Sequence, residues 1–212
     1  MTPRTLDHVA LWVAGRDVIA EVAVERLGMH VIERTDRFTL VGSDARRGKL
    51  TLFDAEGPRE RGALKQIGLR VSSLAGREPG IDLGEGLEVV LVEAPTEVEF
   101  DLDHVQLFSA DPAGAADAWE AYGLARVGET RLEVGGAFVE LHPGDPGDPE
   151  RPLLNHLAVL VDSVDEHVAA ANDRGIEIAD VVDAPNTLAL FVWGPDRVKL
   201  EYVEHKPSFS LS

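Results

Sequence analysis

The sequence predicts an α+β protein assembled from tandem βαβββ modules, and three observations carry that prediction. A short pattern, Leu, a polar residue, then His or Gln, opens four apolar runs: "LDHVALWV" from Leu6, "LKQIGLRV" from Leu64, "LDHVQLFS" from Leu102 and "LNHLAVLV" from Leu154. Each run leads into the same succession, a helical stretch and then strand-like segments. Stretches rich in Gly and Pro punctuate the copies, as expected of repeated supersecondary units joined by turns.

The elements can be justified in chain order. In the first module, residues 14–29 form the helix and residues 37–43 and 49–57 the strands after it. The second module is truncated, because residues 75–86, "AGREPGIDLGEG", hold too much Gly and Pro for a full helix. In the third, residues 111–124 are helical, 131–136 and 137–144 are strands, and "HPGDPGDPERP" is a linker. In the fourth, Ser163 is a helix N-cap and Gly175 a C-terminal stop. "ALFVWG", a turn at "GPDR" and "VKLEYVE" complete that copy. The pattern restarts at "APTEVEFDLDHV", so the predicted division is a domain of residues 1–100 and a domain of residues 101–212, two modules in each.

Composition narrows the function classes. With 44% hydrophobic residues in 212, the chain can bury a real core. Acidic residues exceed basic ones, 38 against 20, and a formal charge of −18 repels nucleic acid and anionic lipid. No cysteine is present, so a metal would be held by His, Asp and Glu. Asp7, Arg16 and Asp17 cut the N-terminal apolar run below the length of a signal or membrane span. The expectation is a cytoplasmic protein with a small-molecule partner, no nucleic-acid or membrane partner, and a monomeric or homodimeric state.

Alternation along a strand places Leu154, His156, Ala158 and Leu160 on one face, and likewise Leu102, His104, Gln106 and Phe108. Aligning "FVELH" with "KLEYV" puts Glu140 and Glu201 in one equivalent slot of the last strand. A buried imidazole needs a partner to replace lost water. Two histidines and two carboxylates, supplied in matched pairs, converge if the copies pack about a pseudo-twofold axis. The prediction is a metal site of His104, Glu140, His156 and Glu201, suited to one divalent ion: Fe²⁺, Mn²⁺, Ni²⁺, Co²⁺ or Zn²⁺. In residues 1–100, His8 pairs with Gln66 and the glutamate slots hold Thr51 and Val90. That half is expected to be metal-free, with His8 a core residue left from duplication.

"LDHVQL", "FVELH", "NHLAVLVDSV" and "WGPDRVKLEYV" together resemble the vicinal oxygen chelate superfamily, which includes glyoxalase I, extradiol dioxygenases and bleomycin resistance proteins. The resemblance covers essentially the whole chain. It implies a glyoxalase-like fold in which paired modules form two U-shaped mixed sheets. It also implies that His104, Glu140, His156 and Glu201 fall on the ligand slots as glyoxalase-like members use them, whereas extradiol enzymes ligate through the slots of His104, His156 and Glu201 only. The tyrosine that extradiol enzymes place near the last ligand is Phe191 here, and "VVDAPNTL" supplies no histidine. A phenyl ring cannot donate a hydrogen bond or shuttle a proton.

These residues support three expectations of function. The first is a metal-dependent lyase or isomerase on a substrate chelated through vicinal oxygens, with Glu140 or Glu201 as the base. The second is an extradiol-type ring-cleaving dioxygenase, and the third a non-catalytic binding or resistance protein. Outside the ligand set, His142 and His205 follow strand ends and read as surface residues or proton shuttles. Lys199 shares the face of Glu201, and His167 reads as a solvated helix residue. Phe108, Phe191 and Trp193 read as core or pocket wall.

Overall fold

The computed structural model describes residues 2–211. Its first module comprises β1 (Thr5–Val13), α1 (Arg16–Val22), β2 (His30–Arg34), β3 (Phe38–Gly42) and β4 (Lys49–Asp54). The second holds only β5 (Leu64–Val71), β6 (Gly80–Asp82) and β7 (Glu88–Glu93), the truncation that its glycines and prolines foretold. The third comprises β8 (Asp101–Ser109), α2 (Pro112–Trp119), β9 (Ala125–Arg126), β10 (Arg131–Val134) and β11 (Ala137–Pro143). The fourth comprises β12 (Leu154–Leu160), α3 (Val164–Arg174), β13 (Ile178–Asp183), β14 (Thr187–Trp193) and β15 (Lys199–His205).

Local chemistry sets the helix ends. Ser163 accepts a hydrogen bond from the Glu166 amide at 3.2 Å, and Gly175 closes α3 with φ +66°. Asp111 caps α2 by accepting from the Gly114 amide. One helical reading is corrected: His167 is buried, its Nδ1 2.7 Å from the Ser163 carbonyl and its ring against Tyr202.

In every module the last strand runs parallel to the first, and first strands of two modules pair antiparallel to join them. The partners are β1 with β12 and β5 with β8. One sheet therefore runs β13-β14-β15-β12-β1-β4-β3-β2 and the other β6-β7-β5-β8-β11-β10-β9. The division at residue 100 is not how the sheets are built: the first module pairs with the fourth, and the second with the third. All four first strands carry the same apolar pattern, so periodicity offers each of them several equivalent partners and does not choose among them. One continuous apolar core joins the sheets, with Leu50, Val159 and Leu200 from the first and Ile67, Val105 and Leu132 from the second.

A further regularity links the fold to the site. Each first strand has a β-bulge at the residue before its His or Gln: Asp7, Lys65, Asp103 and Asn155 are skipped by the pairing register. A bulge re-aims side chains that strict alternation would send to opposite faces. Here it brings the polar residue beside the ring that comes after it.

Candidate metal centre

The bulges account for the orientation of the histidines. His8 Nδ1 lies 2.7 Å from Asp7 Oδ1, His104 Nδ1 2.8 Å from Asp103 Oδ2, and His156 Nδ1 3.0 Å from Asn155 Oδ1. An ionised carboxylate only accepts hydrogen bonds, so His8 donates from Nδ1 and turns its Nε2 toward the cavity. The Asn155 side-chain oxygen directs His156 in the same way.

Antiparallel pairing of β1 with β12 sets His8 opposite Ala158 and His156 opposite Ala10, which leaves room for both rings on one face. Parallel pairing of β12 with β15 puts Glu201 beside Ala158. As a result His8 Nε2 is 3.1 Å from His156 Nε2 and 3.1 Å from Glu201 Oε2, and His156 Nε2 is 2.8 Å from that oxygen. His156 and Glu201 are buried and His8 nearly so.

Three lone pairs facing one another at this range need a positive charge between them. Burial disfavours the charged form of His8, but Glu201 and Asp7 outweigh it and hold its pKa up to about 9. Burial also disfavours charge on Glu201, yet His8 and His156 keep its carboxyl ionised down to about 2. Burial pushes His156 down, with the charge on His8 adding to the effect. A single proton therefore occupies the cluster when no metal does. The donors also fit a divalent ion: ligands about 2.1 Å from an ion at right angles to one another lie about 3 Å apart, and a two-His, one-carboxylate set suits first-row metals.

The fourth slot of this sheet is Thr51, opposite Ala10. Behind His8, the Asp7 carboxylate receives Lys49 Nζ at 2.7 Å and faces His205 Nε2 at 3.0 Å. Although burial raises the pKa of Asp7, Lys49 and the histidines hold it well below the usual carboxylate range. A cavity of about 470 Å³ opens in front of the cluster, walled by Phe38, Phe53, Phe191, Phe209 and Val203. Phe191 is pocket wall, and its ring lies edge-on to His156 at 5.1 Å.

The four residues expected to form one site are thus separated. His156 and Glu201 come together, but His104 and Glu140 lie in the other sheet, because β8 pairs with β5 rather than β12. There His104 stacks on Phe138 at 4.9 Å and lies so close over Gly68 that a Cβ on the glycine would be 2.2 Å from the ring. Glu140 is bound by Arg131 at 2.9 Å, with His142 at 3.5 Å. Arg131 holds the pKa of Glu140 down against the opposing effect of burial. His142 reaches Glu140 rather than the cluster. The third donor of the cluster, absent from the set the sequence predicts, is His8, and the signal was present: "LDHV" at Leu6 is identical to "LDHV" at Leu102.

No family model matches the chain, and no curated protein matches it by sequence. Solved structures do. A Bacillus subtilis "putative dioxygenase" superposes with a TM-score of 0.75 over 98% of this chain and 87% of that one, at 16% identity. Glyoxalase I from Zea mays gives 0.69 over 94% and 92%, at 18% identity. The cppA protein from Streptococcus pneumoniae gives 0.61 over 95% and 98%, at 14% identity. Paired βαβββ modules, last strands parallel to first, and these superpositions lead to one statement: the chain has the vicinal oxygen chelate fold, the glyoxalase-like architecture.

Proposed function

We propose that the chain is a metal-dependent enzyme acting on a small aromatic substrate with two adjacent oxygens, and that its reaction is of the ring-cleaving dioxygenase type. The observation that carries this reading is the three-donor set His8, His156 and Glu201, with Thr51 rather than a carboxylate in the fourth slot. In the lyase or isomerase reading Glu140 fills a fourth ligand slot and Glu140 or Glu201 is the base, and Glu140 belongs to the other sheet.

His8, His156 and Glu201 would hold a divalent ion such as Fe²⁺, which would supply positive charge to vicinal substrate oxygens. The chain's own residues do the rest. Asp7 and Asn155 hold both imidazoles by Nδ1, so that each keeps its Nε2 lone pair aimed at one point. Glu201 contributes one negative charge, leaving the site able to accept an anionic substrate. The phenyl rings of Phe38, Phe53 and Phe191 exclude water and match a planar apolar body. Phe191 can move no proton, and the wall histidine outside the donor set is His205, whose Nε2 donates toward the Asp7 carboxylate and whose Nδ1 is the nitrogen left to take one.

The test is anaerobic reconstitution with Fe²⁺, addition of a panel of dihydroxylated aromatics, and measurement of oxygen uptake with the spectrum of the ring-opened product. Uptake that disappears in His8→Ala supports the reading. Stoichiometric Fe²⁺ with no uptake across the panel removes the dioxygenase assignment.

A further inference from the structure

On the same face of the eight-stranded sheet, two residue pairs along from the cluster, lies a second chamber of about 290 Å³. The register shows how it forms: β14 and β15 set Phe191 opposite Glu201 and then Trp193 opposite Lys199. Across the chamber stands Trp12 of β1, with Leu154 and Asn155 between. The proline-rich linker, Pro146 to Pro152, covers it, tied down where the Leu153 amide donates to the Glu60 carbonyl at 2.7 Å. Phe53, His156 and Phe191 form the partition from the metal cavity: Phe53 lies 5.3 Å from Trp12 and 6.3 Å from His156, and Phe191 5.1 Å from His156.

Lys199 distinguishes this chamber from a packing void. It is half-buried, it rests against the Trp193 ring at 4.8 Å, and among the described residues it donates no hydrogen bond and meets no carboxylate within ion-pair distance. Most of the other cations on this protein of charge −18 have acidic partners; Arg197, at the mouth, binds Glu177 at 3.2 Å. A half-buried lysine that has lost part of its hydration and has no carboxylate in direct contact, Asp180 acting on it only at a distance, gains from a ligand that brings an anionic group to it. The surrounding indoles offer flat apolar walls, and the volume suits a molecule about the size of one ring.

We infer that this chamber is a second small-molecule site, separate from the metal centre, that binds a planar organic carboxylate with its anionic end on Lys199 and its ring between Trp12 and Trp193. Asp148, Glu150 and Asp196 stand around the opening, so the ligand end facing outward is neutral or cationic. The inference does not depend on the metal-centre assignment.

Two of the three tryptophans line the chamber and the third, Trp119, is buried at the end of α2, so intrinsic fluorescence reads occupancy directly. The protein is freed of metal with chelator and titrated with benzoate, with benzylamine as the charge-reversed probe. The expected result is a saturable benzoate-dependent change, weakened at least tenfold in Lys199→Met, retained in Trp119→Phe, and no saturable change with benzylamine. Glu201→Gln is expected to bind benzoate as the unaltered chain does, which separates this site from the metal centre. Circular dichroism of Lys199→Met confirms that it is folded; should that variant not fold, Trp12→Phe with Trp193 intact replaces it and is expected to lower the signal change. Equal benzoate affinity in Lys199→Met, absence of a benzoate response, or preference for benzylamine overturns the inference.

Discussion

The two sheets share one design, and comparing them shows how little separates a candidate metal centre from packed protein. Both are joined by antiparallel first strands with a bulge before the key residue, and both place a glutamate in the last strand of one module. In the sheet of the first and fourth modules, His8 and His156 stand opposite alanines, Glu201 meets no arginine among the described residues, and three donors meet. In the sheet of the second and third modules, Gln66 replaces the histidine and faces Gln106, while Arg131 takes up Glu140. His104, still oriented by its preceding aspartate, lies over Gly68 against Phe138. One missing imidazole and one arginine are enough, because every donor must reach the same ion at about 2.1 Å.

Exchanging the residues that differ is the sharpest way to break that comparison. His8→Gln, which installs the counterpart of Gln66, is expected to abolish metal retention, as are His156→Ala and Glu201→Ala. His104→Ala and Glu140→Ala are expected to keep a full equivalent. Metal analysis of purified, folded variants decides it, and loss of metal in His104→Ala with retention in His8→Gln would reverse the assignment of the two sheets.

The support behind the ligands comes next in size. Asp7→Asn leaves the ring of His8 in place but weakens the acceptor at Nδ1 and the ion pair with Lys49. Metal affinity is expected to fall about 10- to 100-fold, read by competition with a chelating dye. Asp103→Asn, its counterpart in the other sheet, is expected to leave metal affinity unchanged.

The proton in the cluster gives a third test. In the metal-free chain, His8 is raised from 6.5 to about 9, so its contribution to stability is fully present below 6.5 and is lost as pH rises through about 9. Glu201 is lowered from 4.5 to about 2, so its contribution is present above 4.5 and is lost as pH falls toward 2. Thermal unfolding of chelated protein is therefore expected to show falling Tm between pH 6.5 and 9. A metal ion takes the place of that proton, so the loaded protein is expected to lack this alkaline decline and to release protons on loading. Parallel pH profiles with and without metal would contradict a shared position. The smallest effect concerns the worn site: Gly68→Ala forces the His104 ring aside and is expected to cost about 1–3 kcal/mol in urea unfolding without changing metal content.

Much of this was legible in the residues themselves. Repeats with a period-two apolar pattern determined the modules, Ser163 and Gly175 the ends of a helix, and the glycines and prolines of residues 75–86 the loss of another, since each depends on chemistry local in the chain. Histidine and glutamate slots were also local, because alternation and parallel pairing within one module fix which face they share. What only the tertiary structure decided was which modules meet. Four first strands of like pattern can pair in several ways with similar burial, and contacts distant in sequence choose among them. That choice joined His8, rather than His104, to His156 and Glu201.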